Sequence, residues 1–177
     1  SSIDNLKYGF DIKDEKLSTK LRNISDFTSS TIYELRDTIW AMNKNKITFE
    51  DLQTRISNYI DKAHLSDAQV QFEFNVENNV DTSEKFSSVE GMNILRIIQE
   101  AIHNSLKYAN AKRINVNVSK KNSNVEFEIS DDGAGFDLEK VKRGNGLNNM
   151  EKRAMEINGS LDIKSGQGKG TTIILSV

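Results

Sequence analysis

The chain has 177 residues, a formal net charge of −2 and no cysteine, which excludes disulfides and thiolate metal sites. The charge is nearly balanced and no lysine- or arginine-rich run is interleaved with aromatic residues, which argues against a nucleic-acid-binding protein. No apolar run approaches the roughly 20 residues that span a bilayer, and no signal peptide is visible. The chain opens with Ser1 rather than Met, and we interpret it as a fragment of a longer protein.

Residues 1–45 predict two helices. Ile3, Leu6 and Phe10 recur at helical spacing, and a polar connection follows them. The second helix repeats apolar residues or threonines at alternating steps of four and three, which is the heptad pattern of a seam between helices. The seam residues are Leu17, Leu21, Ile24, Thr28, Thr31, Leu35, Thr38 and Met42. We expect an antiparallel helical hairpin that pairs with a second copy to form a dimeric four-helix bundle.

A third helix is predicted in "TFEDLQTRISNYIDKAH". Thr48 is a suitable N-cap, with Asp51 three residues later where a glutamate is usual. Because this helix follows the hairpin directly, we assign it to the same region. The predicted organisation is therefore a helical region over residues 1–65 and a second domain over residues 66–177.

Residues 66–177 have a different pattern. Eight of the ten glycines lie between Gly133 and Gly170. Alternating apolar residues predict strands in "VQFEFNV", "RINVNVS", "VEFEIS", "LDIKS" and "TTIILSV". Helices are predicted over residues 88–109 and in "NMEKRAMEIN", which is closed by Gly159. A sheet with one face covered by helices is an α/β two-layer sandwich.

The helix predicted over residues 88–109 has two opposite faces of different chemistry. Its apolar face is expected to pack on the sheet and consists of Leu95, Ile98, Ile102, Leu106 and Ala109. Its polar face carries Glu100, Asn104, Lys107 and Tyr108. Such a face is most often simply solvated. An asparagine in the middle of a helix has only modest helix propensity, however, which suggests another use for Asn104.

Three glycine-rich stretches follow, namely "DDGAGFD", "RGNGLNNM" and "SGQGKGTT". Glycine turns let backbone N–H groups approach an anion closely, and a helix N-terminus adds partial positive charge. None of the three is a Walker loop, because Lys169 is followed by Gly170 instead of serine or threonine. Each stretch alone is a weak signal for a phosphate site.

Taken in order, these motifs resemble the Bergerat-type ATP-binding domain shared by sensor histidine kinases, gyrase, Hsp90 and MutL. "EAIHNSLKYA" is similar to the N box of that superfamily, and "DDGAGFD", "GNGL" and "GQGKGTT" are similar to its three glycine boxes. "NSLKYA" narrows the resemblance to sensor histidine kinases of two-component systems, whose N box typically carries a lysine and an aromatic residue in these places. The preceding hairpin resembles their dimerisation and phosphotransfer region.

The resemblance implies that Asp131 accepts a hydrogen bond from the exocyclic amine of adenine. A carboxylate accepts without donating, so it distinguishes this amine from the carbonyl of guanine. Asp131 shares a strand face with Ile129 and is therefore expected to point inward, while Asp132 is assigned no contact with the nucleotide. Gly133 and Gly135 would let the base enter. Gly168, Gly170 and Thr171 are expected to line the floor beneath the adenine.

For the phosphates, the resemblance implies that Asn104 ligates Mg²⁺ through its amide oxygen and that Lys107 contacts phosphate. Glu100 is either a general base or a residue that orients water on the metal. Tyr108 either stacks on the adenine edge or is an aromatic residue at the rim of the core. The second glycine box would hold the end of a lid over the triphosphate, through Gly144, Gly146 and Leu147.

The resemblance implies an ATP-dependent protein histidine kinase that passes its phosphoryl group to a response regulator. His64 and His103, the two histidines of the chain, do not suit the acceptor role, so the acceptor is expected upstream of Ser1. The fragment is expected to be cytoplasmic, with any anchor in the inner membrane supplied by absent parts. An anti-sigma-type serine kinase and a non-catalytic, ATP-dependent dimerisation or interaction module remain as alternatives.

Overall fold

The computed structural model describes residues 9–10, 14–138, 140 and 145–177. The chain divides into two compact units, Ser1–Asn43 and Lys44–Val177.

The first unit contains one long described helix, α1, over Glu15–Met42. Its N-cap is Asp14, whose carboxylate accepts hydrogen bonds from the N–H groups of Lys16 (2.8 Å) and Leu17 (3.0 Å). The predicted second helix is therefore confirmed. The helix predicted before it falls mainly on residues 1–8, outside the described residues, so the hairpin itself stays a prediction.

The second unit begins with a two-residue strand, β1 (Ile47–Thr48), followed by α2 (Phe49–Ser66). β1 pairs antiparallel with β3 (Lys85–Phe86). The predicted cap is present: the N–H of Asp51 donates to the Thr48 hydroxyl (3.2 Å), and the Asp51 carboxylate accepts from the N–H of Thr48 (3.1 Å). The hydrogen-bonded ammonium of Lys44 lowers the pKa of Asp51. The strands β1 and β3 were not predicted from the sequence, because two residues are too few to show an alternating pattern.

The packing of α2 differs from the predicted division at residues 65/66. Its apolar stripe is buried in the second unit, where Phe49 meets the ring of Phe127 at 6.3 Å between centroids. The buried residues of α2 are Phe49, Leu52, Ile56, Ile60 and Ala63. Periodicity in the sequence identified the amphipathic helix correctly, but it carries no information about which surface the stripe will cover.

The second unit also contains a five-stranded mixed sheet. Its strands are β2 (Gln71–Val76), β4 (Arg113–Lys121), β5 (Asn124–Asp131), β6 (Ser160–Ser165) and β7 (Thr171–Ser176). They lie in the order β2–β4–β5–β7–β6, in which β2 and β4 are parallel and the other neighbouring strands are antiparallel. The buried face of the three central strands carries Ile114, Val116, Val118, Val125, Phe127, Ile129, Ile173 and Leu175. The predicted two-layer α/β architecture is confirmed for this unit.

Two further helices, together with α2, form the layer of helices that packs on the sheet. α3 (Ser88–Asn104) begins with a capping box between Ser87 and Glu90, and α4 spans Asn145–Glu156. They are joined by the buried amide of Asn93, which accepts from Arg153 (3.0 Å) and donates to Glu156 (3.2 Å).

The predicted helix over residues 88–109 changes type near its end. Ser105–Ala109 form a π-helical segment, which ends at Asn110 with a φ of 50°. Ser105 and Ala109 are buried, whereas Leu106, predicted to belong to the apolar face, is half-buried. A π segment accommodates one extra residue per turn and so rotates its side chains away from the positions of an α-helix.

Candidate nucleotide site

Asp131 ends β5 on the buried face of the sheet. It stands opposite Ile114 on one side and Thr171 on the other, two residues beyond the buried Ile129. Its Oδ1 accepts the N–H of Gly133 (2.9 Å), and its Oδ2 accepts the hydroxyl of Ser105 (2.8 Å). The carboxylate therefore points inward, as the alternation of the strand predicts, and is held at both oxygens.

The neighbouring carboxylate, Asp132, has a different environment. Its Oδ1 accepts the N–H groups of Lys112 (2.7 Å) and Arg113 (2.9 Å), where β4 begins. The N–H of Arg113 is the main cause that lowers the pKa of Asp132. Asp132 therefore fastens the start of β4, and the expectation that it makes no contact with the nucleotide stays a prediction.

The turn after Asp131 packs against the end of the π segment. The N–H of Ala134 donates to the carbonyl of Ala109 (2.8 Å), and a Cβ on Gly133 would lie 2.5 Å from the Cβ of Ala109. Glycine at position 133 is therefore required by the close approach of these two segments. The turn therefore packs closely against the π segment and stands next to the Asp131 carboxylate.

The first and third glycine boxes support each other. The N–H of Gly168 donates to the carbonyl of Ala134 (2.6 Å), while Gly170, with a φ of +70°, packs directly against the backbone carbonyl of Asp131. Gly135 has a φ of +58° and packs against the backbone carbonyls of Gly166 and Gly170. Gly168, Gly170 and Thr171 thus lie beside the Asp131 turn, where the expected adenine floor would be.

Two serines missing from the predicted site complete this arrangement. Ser165 accepts the N–H of Phe136 (2.9 Å) and contacts Thr171 Oγ1 (3.0 Å). Ser105 holds Asp131, and its position seven residues after Ile98 places it near the apolar helix face. A polar residue at such a position was the available signal for Ser105, whereas the partners of Ser165 come from distant stretches that no local pattern connects.

Glu100 and Asn104 meet on the polar face of α3. The Asn104 amide nitrogen donates to Glu100 Oε1 (3.2 Å), a hydrogen bond that does not involve the amide oxygen. Gly146, in the first turn of α4, packs against the Glu100 carboxylate, and Leu147 beside it is half-buried. Gly144 lies outside the described residues. Asn104 fits Mg²⁺ by its chemistry, because this cation takes oxygen ligands and keeps several waters.

Lys107 and Tyr108 project from the π segment. The Lys107 ammonium lies 5.1 Å from the centroid of the Tyr108 ring, within the range of a cation–π contact. The Tyr108 side chain is 69% exposed, which does not favour the alternative of an aromatic residue at the rim of the core.

The two histidines occupy unrelated positions. His64 Nδ1 lies 3.0 Å from the carbonyl oxygen of Val70, and its ring meets Phe72 edge-on at 6.2 Å between centroids. His103 is exposed on α3, next to Asn104. Among the residues that the structure describes, no group of three or more histidine and acidic side chains could hold a metal ion. In that same part of the chain, no helix is both long and apolar enough to cross a membrane.

Comparison with known proteins relates this site to a family of ATPases. Residues 90–177 match the family described as "Histidine kinase-, DNA gyrase B-, and HSP90-like ATPase". "Sensor histidine kinase LiaS" of Bacillus subtilis (strain 168) is 39% identical over 85 residues, which are 48% of this chain and 24% of that protein. "Signal transduction histidine-protein kinase/phosphatase DegS" of Brevibacillus brevis is 27% identical over 165 residues, 93% of this chain and 42% of that protein.

The chain thus spans less than half the length of these two relatives. Among solved structures, the Acinetobacter baumannii histidine kinase AdeS is similar with a TM-score of 0.64 at 18% identity, over 99% of this chain and 90% of that chain, which shows the fold alone. Through residues 90–177, the chain belongs to the histidine kinase-, DNA gyrase B- and HSP90-like ATPase family, and its relatives include sensor histidine kinases.

Proposed function

We propose that this chain is the catalytic part of a sensor histidine kinase, which binds Mg-ATP and transfers the γ-phosphoryl group to a histidine of a preceding helix. The observation that carries the proposal is the inward carboxylate of Asp131, held by Ser105 and Gly133 next to the glycine-rich turn in a domain of this ATPase family. The product phosphohistidine would then donate its phosphoryl group to a response regulator, as the resemblance to sensor kinases of two-component systems implies.

Asp131 would select adenine. Its oxygens accept hydrogen bonds and have lone pairs beyond those used by Ser105 and Gly133. The exocyclic amine of adenine can donate to one of them, whereas guanine would place a carbonyl oxygen against the carboxylate. The glycines of the first and third boxes would flank the base, with Thr171 opposite Asp131 in the neighbouring strand.

Asn104, Glu100 and Lys107 would serve the triphosphate. Asn104 would hold Mg²⁺ through its amide oxygen, and the ion, when bound, would neutralise developing charge on the phosphates. Lys107 would contact phosphate as a point charge once it leaves the ring of Tyr108. Glu100, hydrogen-bonded to Asn104, is placed either to accept a proton from the nucleophile or to orient water on the metal.

The acceptor histidine would lie N-terminal to the residues of this chain. His64 is engaged by its own domain through Val70 and Phe72. His103 is next to the proposed metal ligand, too close to the nucleotide to receive its terminal phosphoryl group. The exposed heptad seam of α1 would pair with a second copy, so that the acceptor helix belongs to a dimeric four-helix bundle.

Calorimetric titration with Mg-ATP and Mg-GTP tests the nucleotide site. The unchanged chain should bind ATP and bind GTP far more weakly. Asp131→Asn adds a donor where the adenine amine already donates, so we expect ATP affinity to fall by about 1–3 kcal/mol. Asp132→Asn is the matched control, because its oxygen can still accept from Lys112 and Arg113 and it faces no predicted ligand. Equal ATP affinity in the unchanged chain and Asp131→Asn would contradict the assignment.

A further inference from the structure

Ser105 has a buried hydroxyl group at the point where the N-box helix meets the proposed adenine site. The residue is 5% exposed, and its Oγ lies 2.8 Å from Asp131 Oδ2 and 3.1 Å from the carbonyl oxygen of Ala101. A serine hydroxyl has one hydrogen to donate. The carboxylate is the closer acceptor and, because it is charged, the stronger one. The Ser105 hydroxyl therefore donates its hydrogen bond to Asp131 Oδ2.

Asn104 and Ser105 are neighbours in the chain, at the point where α3 gives way to the π segment, but their surroundings differ. Asn104 stays half-buried on the polar side of α3, whereas Ser105, the next residue, is turned into the core. At the other end of the segment, Ala109 accepts the N–H of Ala134 (2.8 Å) and packs against Gly133. One short piece of backbone therefore supports both the carboxylate and the turn that follows it, a typical use of π geometry at functional sites.

The two contacts of Asp131 have different origins. The N–H of Gly133 belongs to the same turn and moves with it, whereas the Ser105 hydroxyl comes from another element, 26 residues earlier in the chain. Ser105 is therefore the contact that fixes the carboxylate relative to the helix that carries Asn104. Without the Ser105 hydroxyl, Asp131 Oδ2 loses its donor and the carboxylate can rotate. Ordering the carboxylate would then reduce the free energy of nucleotide binding.

We propose that Ser105 is a positioning residue for base selectivity: its hydroxyl holds the Asp131 carboxylate in the orientation that recognises the amino group of a 6-aminopurine nucleotide. The inference rests on the proposed function, because it takes Asp131 as the acceptor for that amine. Ser105 would contact the acceptor Asp131 and not the nucleotide, so that selectivity for the base depends on one buried side chain.

The test compares ATP with purine riboside triphosphate, which lacks the 6-amino group. Both are titrated in the calorimeter against the 177-residue chain, Ser105→Ala and Ser105→Cys. Ser119→Ala, on the outward side of β4 opposite Glu126, is the control for a serine hydroxyl elsewhere in the sheet. We expect Ser105→Ala to lower ATP affinity by about tenfold, the loss typical of a hydrogen bond to a charged group, and to change affinity for the amine-free nucleotide less than twofold.

The result is read from the ratio of the affinity for ATP to the affinity for purine riboside triphosphate, measured for each variant. Cysteine is a weak donor of similar shape, so Ser105→Cys should give an intermediate ratio and provides a second reading where Ser105→Ala unfolds. Equal losses for both nucleotides, or no loss for either, would show that Ser105 supports only the fold or nothing, and would overturn the inference. Equal affinity of the unchanged chain for the two nucleotides would instead overturn the role of Asp131, and the inference with it.

Discussion

Two adjacent acidic residues, Asp131 and Asp132, illustrate how position in a strand determines chemistry. Successive side chains of extended backbone point to opposite sides. Asp131 therefore continues the buried face of β5, where it contacts Ser105 and Gly133, whereas Asp132 turns to the N–H groups at the start of β4. The same residue type serves a proposed ligand in one position and the backbone in the next.

The lowered pKa of Asp132 predicts a pH dependence of stability. The ionised carboxylate is favoured in the folded state, so its contribution is present above the ordinary aspartate pKa of about 3.9 and is lost as the pH falls through the lower folded value. Because the side chain is 40% exposed, solvent screening keeps this contribution to about 0.5–1 kcal/mol. Asp132→Asn should reduce the free energy of unfolding by this amount at pH 7, and the difference should shrink progressively as the pH falls below the ordinary aspartate pKa of about 3.9.

Urea unfolding followed between pH 3 and pH 7 measures this difference. Asp162→Asn, which removes an exposed carboxylate paired with Lys164 on β6, is the control and should show little change at either pH. A difference for Asp132→Asn that stays constant over the whole range would assign its effect to hydrogen-bond geometry instead of charge.

At the scale of elements, the start of the second unit is fastened by several contacts around α2. β1 pairs with β3, the Lys44 ammonium contacts Asp51 at 2.5 Å, and Ile47 is completely buried beside Gly91. The Thr48 hydroxyl caps α2 within this cluster. Local capping and long-range burial thus act on the same six residues, 44–49.

We predict that Thr48→Ala lowers the free energy of unfolding by about 1 kcal/mol, because an N-cap hydroxyl satisfies an otherwise unpaired backbone donor. Thr54→Ala is the matched control on the same helix. The Thr54 hydroxyl is exposed and donates to the carbonyl of Glu50 (3.0 Å), so its loss should be neutral or slightly stabilising through the better helix propensity of alanine. Denaturant unfolding that gives equal effects for both variants would contradict a capping role for Thr48.

Elements with a local signature could be predicted from the sequence. The alternation of Val125, Phe127 and Ile129 identified β5 and the inward direction of Asp131, and the Thr48–Asp51 pair identified the start of α2. The π segment could not be predicted, because its altered hydrogen bonding leaves no distinct residue pattern. Contacts such as Ser105 with Asp131 depend on how a helix and a strand distant in sequence are packed, which periodicity does not encode.

At the scale of the whole molecule, the apolar seam of α1 calls for a partner surface. Ile24 and Leu35 are each 57% exposed, and Met42 is 78% exposed. Their heptad spacing is the pattern by which helices pack side by side in bundles. A second copy of the chain would supply a matching seam by symmetry.

We predict that the chain dimerises through this seam, and that Leu35→Glu weakens the dimer by placing charge in an apolar contact. Thr19→Glu, an exposed substitution away from the seam on the same helix, should leave association unchanged. Sedimentation equilibrium over a range of protein concentrations measures both. Pairing through α1 would be contradicted if the unsubstituted chain stayed strictly monomeric at the highest concentration. It would also be contradicted if the two variants weakened association equally.

Because the acceptor histidine is proposed to lie N-terminal to this chain, we expect the nucleotide site to bind ATP without phosphorylating the chain, since phosphoryl transfer depends mostly on positioning and charge stabilisation. Phosphate labelling with γ-labelled Mg-ATP tests this directly. The 177-residue chain should bind ATP and acquire no acid-labile, base-stable phosphate, whereas a longer chain that includes the acceptor helix should acquire it and lose it with Asn104→Ala. Phosphohistidine at His64 or His103 of the 177-residue chain would contradict the proposed location of the acceptor.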